Sequence, residues 1–449
     1  MTRLTTTASP AFRRPGGAVS RRAMLGLLGA GAAGLTAACS ASIGGGIAPD
    51  PAAFFSGDYD GDPVRLDFWN PFTGGDGPAM GAIVDAFNAA HPQIDVRMSS
   101  INADQMYAKL LPAVGAGQGP DVVAMHLDQL ATFAIRGTIV SLDDIVEGLE
   151  LDGADFVAQA WEATVFQDRR FGIPLDFFTA AQYWNVEAFD AAGVRAPWDG
   201  SSYLDVMAGL QASGVANPFW VSPAWQTFVG LLGQFGGSLF DADGTTATMG
   251  SDAGVEALTW ICDVVADGFS PAGVTDVRPP FKNGSCVTMT DLPAAIPDLT
   301  LTAPDLEWGV GPFPQVGPQP GTFANSHTFT ITQQTQADDD VAQAAQVFVH
   351  WVSQNSGQWA AGGLTPASTS VRESAEFAAT PQSVLATEEV FASAVFLPQI
   401  PSSRDIAANS YQRAVSEAVL GQATPADALA FAQRTAQSQL DDVRRLFES

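Results

Sequence analysis

Val64-Arg65-Leu66-Asp67-Phe68-Trp69 alternates polar and apolar side chains, the period of a half-buried strand. Asn70 to Pro78 is rich in Gly, Pro and Thr and reads as a loop. From Ala79 to Ala90 the apolar residues Met80, Ile83, Val84 and Phe87 fall at helical spacing, and His91-Pro92 ends that helix. Ile94-Asp95-Val96-Arg97-Met98 is a second strand. Asp104 to Val114 is a second helix, with Met106, Leu110 and Leu111 facing inward. A turn from Gly115 to Pro120 leads into a third strand, Asp121-Val122-Val123-Ala124-Met125. Strands alternating with helices in this way argue an α/β lobe with a largely parallel sheet. In such sheets ligands sit beyond the carboxyl ends of the strands. Here those positions are the loops Asn70–Gly77 and His126–Gln129.

Downstream the pattern becomes richer in helix. An amphipathic region runs to Phe166, followed by Phe171-Gly172-Ile173-Pro174-Leu175-Asp176 and Ala181-Gln182-Tyr183-Trp184-Asn185-Val186. Helical spacing covers Tyr203–Ala212, Trp225–Phe235 and Ala253–Asp267. Val287–Thr290, Trp308–Val310 and Phe329–Thr332 read as short strands, and Val341–Val352 as a helix. The remainder is helical with proline interruptions. A chain passing back and forth between two lobes gives this mixture.

Upstream lies a segment of different character. Residues 1–38 hold Arg3, Arg13, Arg14, Arg21 and Arg22 and no acid. The whole chain of 449 residues has 20 Lys+Arg against 48 Asp+Glu, so 15 basic and 48 acidic residues remain, a net of −33. Ser20-Arg21-Arg22-Ala23-Met24-Leu25 precedes an uncharged apolar run, Leu25 to Ala38, shorter than the ~20 residues of a membrane span. The arginine pair resembles a twin-arginine export signal. Leu35-Thr36-Ala37-Ala38-Cys39-Ser40 resembles a bacterial lipobox, which implies lipidation of Cys39; Thr36, where Leu is commoner, leaves plain cleavage open. Residues 39–60 are Gly/Pro/Ala-rich and read as a flexible tether. Of the other cysteines, Cys262 and Cys286, free buried thiols are the favoured reading and a disulfide the alternative. At 46% apolar residues the chain has material for sizeable cores. Its acidity, with only Lys109 and Lys282 as lysines, excludes a nucleic-acid surface and disfavours an anionic membrane.

Several stretches resemble the extracellular solute-binding proteins of ATP-driven importers, the group that includes maltose-binding protein. They are Phe68-Trp69-Asn70 with Phe87-Asn88-Ala89-Ala90-His91-Pro92, then Gly119-Pro120-Asp121-Val122-Val123 with Leu142-Asp143-Asp144. Next come Phe171-Gly172-Ile173-Pro174-Leu175-Asp176 with Tyr183-Trp184-Asn185-Val186, Gly236-Gly237-Ser238-Leu239-Phe240-Asp241, Phe281-Lys282-Asn283-Gly284, and Gly362-Gly363-Leu364-Thr365-Pro366. In family order they span nearly the whole body. The resemblance implies an α/β, two-lobed periplasmic-binding-protein-like fold of type II, with a ligand cleft between lobes joined by crossing hinge segments. Expected boundaries are 61–176 plus 313–353 for lobe 1 and 177–312 plus 354–449 for lobe 2. Crossings are expected near Asp176–Thr179, Gly311–Pro314 and Ser353–Gly357. The resemblance also implies a monomer that captures a carbohydrate and delivers it to membrane permease subunits, without chemistry, cofactor or metal.

A sugar offers patches of C–H groups and a rim of hydroxyls, which aromatic faces and paired donors and acceptors answer. Trp69 and Asn70 end the first strand. Trp225 and Gln226 begin the helix before the double glycine, a cleft position in sugar-binding relatives. Asp128, seven residues after Asp121, matches a ligand-binding acid of the family pattern, while Gln129 replaces a basic residue there. Phe178 takes the place of a polar cleft residue. Asn325, Ser326 and His327 precede a strand where relatives line the cleft. Asp291 and Tyr411 are weaker candidates. Trp184, Trp260, Trp351 and Trp359 are read as packing, and Asp176 as ordering the hinge. The four histidines (His91, His126, His327, His350) form no close pair along the chain, and no metal-ligand spacing, phosphate loop or nucleophile elbow appears. The named loops carry no Arg or Lys, which counts against a glycerol-phosphate-type solute. Asp128, Asp176 and Asp291 keep a polyamine open, and a secreted hydrolase is a further alternative.

Overall fold

The computed structural model describes residues 58–196, 203–222 and 224–447. The arginine-rich leader, Cys39 and nearly all of the tether lie outside the described residues. In chain order the strands are β1 (Val64–Asn70), β2 (Ile94–Ser100), β3 (Val122–His126), a small hairpin β4 (Val165–Phe166) and β5 (Arg169–Arg170), and β6 (Ile173–Pro174). Then come β7 (Asp176–Thr179), β8 (Ala181–Asn185), β9 (Phe219–Trp220), β10 (Thr288–Asp291) and β11 (Trp308–Pro312). The last four are β12 (Thr322–Asn325), β13 (His327–Ile331), β14 (Thr365–Pro366) and β15 (Ala394–Val395).

Three sheets organise these strands. The first has the order β2-β1-β3-β13-β6, the second β11-β8-β10-β9 and the third β14-β7-β12-β15, in which β7 and β12 fall between strands of the other two along the chain. β1 pairs in parallel with β2 from Val64↔Ile94 to Asn70↔Ser100, and with β3 at Phe68↔Val122. The alternation that marked β1 sends Leu66, Phe68 and Asn70 inward, each with no exposed surface. On that face the helix Gly77–Ala90 buries Met80, Ile83, Val84 and Phe87. The helix Asp339–Gln354 joins it, its Phe348 ring edge-on to Phe68 at 5.3 Å and to Phe87 at 4.9 Å. The other face of the sheet takes the helix Ala103–Gly115 through Met106, Leu110 and Val114. Leu111, expected inward, is 37% exposed; the strict i, i+4, i+8 series displaces it onto the solvent side.

β7 leaves the first sheet after Pro174 and enters the second at Ala181, where a crossing was expected. The return strand is β12, antiparallel to β7 through Ala324↔Thr179 and Asn325↔Phe178. Gly311 and Pro312 instead finish β11 against Gln182 and Ala181. Between β11 and β12 the proline-rich stretch 313–321 makes a detour held by one side chain. Gln234 donates from Nε2 to the carbonyls of Pro314 (3.0 Å) and Gly321 (2.8 Å), and its Oε1 accepts from Val316 and Gly317. The third strand between the sheets is β14, paired with β7 at Thr365↔Phe177. Ser353 still belongs to a helix. The carboxyl-terminal helices Ser403–Val419 and Pro425–Phe447 pack on Trp225–Gln234 and Asp252–Ala266, on the second-sheet side.

Phe68 contacts Phe329 at 5.7 Å as well as Phe348, so it joins two strands and a helix. Phe68→Ala is expected to destabilise the protein by about 3–5 kcal/mol. Denaturant unfolding measures it, and a loss below about 1 kcal/mol would show that this ring is not central.

Candidate functional site

β1 and β3 end, and β13 begins, at one place. Their terminal residues Asn70, His126 and His327 therefore meet beside β7 and β12. At the centre is Asp176, fully buried, with three donors. The His327 backbone N–H and Nδ1 each reach it at 2.7 Å, and Trp359 Nε1 donates at 2.8 Å. Phe72 packs on His327 (4.9 Å) and on Trp359 (4.6 Å), and Phe178 lies 5.1 Å from the His327 ring. Burial acts to lower the His327 pKa, but the Asp176 charge and hydrogen bond raise it above the ordinary histidine value. The antiparallel ladder sets His327 opposite His126, ring centroids 4.8 Å apart, a pairing that spacing along the chain did not reveal. His126 is held neutral: burial and then the His327 charge push its pKa well down. Its backbone N–H donates to Tyr107 Oη (2.9 Å), which leaves the phenol proton for His126 Nδ1 at 2.7 Å.

Next to this network the polar groups are incompletely bonded. Asp128 is 5% exposed; its Oδ2 accepts from Asn325 Nδ2 at 2.8 Å, and its Oδ1 has no protein partner. Gln129 Nε2 and Asn70 Nδ2 are also buried and unpartnered. Asn70 spends its Oδ1 on Phe72 N–H and Ser100 Oγ. Burial raises the Asp128 pKa to about 6, against the Arg404 charge and the Asn325 hydrogen bond, which lower it. A cavity of about 550 Å³ opens here, lined from one side by Asp104, Tyr107 and Gln129 and from the other by Trp225, Arg404 and Asp405. Arg404 bridges the two sides, 3.2 Å from Asp104 and 3.9 Å from Asp405.

The sequence candidates thus divide. Trp225 lines the cavity, edge-on to Phe323 at 5.1 Å, while Asn70, Asp128 and Asn325 are buried outside its lining: Asn70 and Asp128 each keep one polar atom unpartnered, and Asn325 bonds Asp128. Phe178 and His327 belong to the buried network behind it. Ser326 is internal, its Oγ donating to the His327 carbonyl. Trp69 is half-buried and packs on the core on the opposite side of β1 from Asn70. Gln226 is half-buried and does not line the cavity. Asp291 stands apart, at the end of β10, held by Arg278 at 2.6 Å. Tyr411 stacks on Phe228 at 4.3 Å inside the helical core, so it is a packing residue. Trp359, expected to pack, also anchors Asp176. Tyr107, Arg136 and Arg404 had no motif to mark them, and the two arginines, both lining the cavity, correct the expectation of a site without cations. Lys282 also lines an interlobe crevice, of about 660 Å³ beside Gly74–Asp76, bound to Asp298 at 2.6 Å. Cys262 and Cys286 are free thiols. Among the described residues no group of three or more His, Cys, Asp or Glu side chains could hold a metal ion, and no helix is long and apolar enough to cross a membrane.

A two-sheet α/β body whose sheets are linked by crossing strands, with a polar cavity between them, defines a cleft-type ligand-binding protein. The profile of the bacterial extracellular solute-binding proteins matches residues 82–386, and the chain belongs to that family. A Brucella abortus (strain 2308) chain named as a binding protein is 23% identical over 285 residues, 59% of this chain and 66% of that relative, so the match leaves about a third of the relative uncovered. An uncharacterized lipoprotein of Streptomyces antibioticus is 28% identical over 167 residues, 35% of this chain and 36% of its own. The fold is that of the GacH receptor of Streptomyces glaucescens GLA.O, solved unliganded and with acarbose. The TM-score is 0.74 at 23% identity, covering 86% of this chain and 98% of that one. It is also that of an ABC substrate-binding protein of Listeria monocytogenes in complex with cycloalternan, with TM-score 0.74, 21% identity, and coverage of 85% and 100%.

Asp128 generates a pH prediction. Its folded value of about 6 lies above the ~3.9 of an unfolded aspartate, so burying the anion costs stability above pH 6. The cost fades as pH falls through 6 towards ~4. Unliganded Asp128→Asn is therefore expected to be about 1–3 kcal/mol more stable than wild type near pH 7.5, with the gain gone near pH 4. Thermal denaturation at both pH values checks this; a pH-independent difference contradicts it.

Proposed function

We propose that this protein captures a carbohydrate, mono- or oligosaccharide, in the interlobe cavity and delivers it to the permease subunits of an ATP-driven importer. The observation that carries this reading is the buried trio Asp128 Oδ1, Gln129 Nε2 and Asn70 Nδ2, one acceptor and two donors without protein partners. Buried polar groups are costly unless bonded, and sugar hydroxyls donate and accept at once. Trp225 and Tyr107 supply aromatic surface for the C–H patches. The relatives named above for acarbose and cycloalternan agree in ligand class. We take the lobes to meet at β7, β12 and β14, which moves the second boundary from residue 313 to the β12 region. Closure is then a population shift: the ligand stabilises the closed form because it touches both lobes. The ligand leaves unchanged, since its partners are hydrogen-bonding and stacking groups.

The leader, the cysteine after Ala37-Ala38 and the tether support export, with Cys39 lipidated and the body held at the outer face of the cytoplasmic membrane. A relative named as a lipoprotein agrees with that anchor. Asp104 and Asp405 line the cavity with Arg136 and Arg404, and Asp128 lies close to Arg404, so acids outnumber guanidiniums and a cationic polyamine is the second reading.

A thermal-shift panel of saccharides, polyamines and phospho-compounds decides the class. A true ligand at 100 times its Kd adds about 2.7 kcal/mol. Trp225→Ala and Asp128→Ala are expected to weaken saccharide binding about tenfold or more, measured by titration calorimetry, with folding retained. Stabilisation by a polyamine alone, or unchanged affinity in both variants, would overturn the reading.

A further inference from the structure

Two arginines line the cavity from opposite sides, and each reaches across it. Arg404 stands in the first turn of the helix Ser403–Val419, on the second-sheet side. Its two guanidinium nitrogens lie 3.2 and 3.3 Å from Asp104 Oδ1, and its guanidinium carbon is 5.8 Å from the centre of the Tyr107 ring. Both partners belong to the helix Ala103–Gly115, which packs on the first sheet. Arg136 repeats the arrangement in the other direction. It ends the helix Leu130–Ile135 on the first-sheet side. Its guanidinium carbon is 6.0 Å from the centre of the Phe447 ring, at the end of the last helix. Its charge also acts on Asp405: burial raises the pKa of that acid, while Arg404 and then Arg136 lower it. Each arginine thus meets one ring and one acid of the opposite side.

A backbone contact runs beside these charges. Ser402 N–H donates to Thr132 Oγ1 at 2.8 Å, and Thr132 is 4% exposed. Ser402 takes φ 64°, in the left-handed region that side-chain-bearing residues rarely adopt. It brings the amino end of its helix against the first-sheet side, where the helix dipole adds to the attraction of Asp104. The buried acid is tied in as well. Burial acts to lower the Arg404 pKa, but Asp128, followed by Tyr107 and Asp104, raises it above the ordinary value. In return, Arg404 comes first among the charges that offset the burial of Asp128, ahead of His327. The main counter-charge of this acid therefore comes from across the cavity, and separating the two sides removes it.

Resting on the lobe boundaries of the proposed function, we propose that Arg404 and Arg136 form a reciprocal clasp that draws the two lobes together without any ligand. Both are positioning residues in this scheme: they set the fraction of closed molecules, and the observed affinity scales with that fraction. A single exposed ion pair shifts such an equilibrium by about fivefold at most. Arg404 is 21% exposed against 79% for Asp104, so water screens the guanidinium less than its partner, and the second arginine adds to the effect.

Small-angle X-ray scattering of the protein without saccharide tests this through the radius of gyration. Arg404→Gln and Arg136→Gln are each expected to raise the radius, and the double variant to raise it further. Salt at about 1 M, where the Debye length falls to ~3 Å, is expected to expand the wild type in the same direction and to leave the double variant unchanged. Asp104→Asn, at an exposed position, should reproduce part of the Arg404→Gln shift, and it carries the test where an arginine variant does not fold. An unchanged radius in every folded variant, or an equal salt response in wild type and double variant, overturns the proposal. No saccharide enters the measurement, so the clasp can fail while the thermal-shift panel still finds a sugar. A panel without a sugar removes the carbohydrate reading and leaves the scattering result to stand on its own.

Discussion

The Asp176 carboxylate is the constraint on which the middle of the molecule depends. A charge with no exposed surface persists only when it is neutralised and hydrogen-bonded. Its three donors come from two other passages of the chain, His327 at the start of β13 and Trp359 just after the helix Asp339–Gln354. One side chain on the first crossing strand thereby fixes where two other passages lie. Phe72 and Phe178 close over the His327 ring and keep water away, which strengthens each bond to the acid. His126 can then stay neutral beside a histidine that tends to be charged, because Tyr107 supplies the proton its Nδ1 needs.

A second buried aspartate lies close to the first and is treated differently. Asp176 has donors on both oxygens; Asp128 has one donor on one oxygen. The contrast separates a group whose bonds the fold completes from one that the fold leaves half-satisfied. The same distinction applies to amides: Gln234 uses both ends of its side chain to fasten a loop, while Gln129 and Asn70 keep an N–H unused.

The parallel start of the first sheet was legible because β1 to β3 are local: each strand and helix carries its own period, and short connections leave little choice of neighbour. Asn70, Asp128 and Asn325 could be singled out because they stand at or just beyond strand ends of such sheets. Where the reading failed, the missing information was long-range. The path from β11 to β12 could not be read because nothing local says that Gln234 will hold the 313–321 detour. The His126–His327 contact follows from β13 running antiparallel to β3 across some 200 residues. Arg404 reaches the cavity only because a late helix folds back onto Trp225–Gln234. Asp291 and Tyr411 show the converse error, since a polar or aromatic residue at a plausible position can be claimed by a nearby partner such as Arg278 or Phe228.

β12 pairs with β7 between the two sheets and ends at Asn325, which bonds Asp128; two residues on, His327 opens β13. Under the proposed function, the segment that turns when the cleft opens is therefore the segment that carries the proposed binding groups. For such a protein the observed dissociation constant is the intrinsic one divided by the fraction of molecules already closed. Substitutions at residues 325–327 change both factors together, so titration alone reports their product and leaves the two terms entangled.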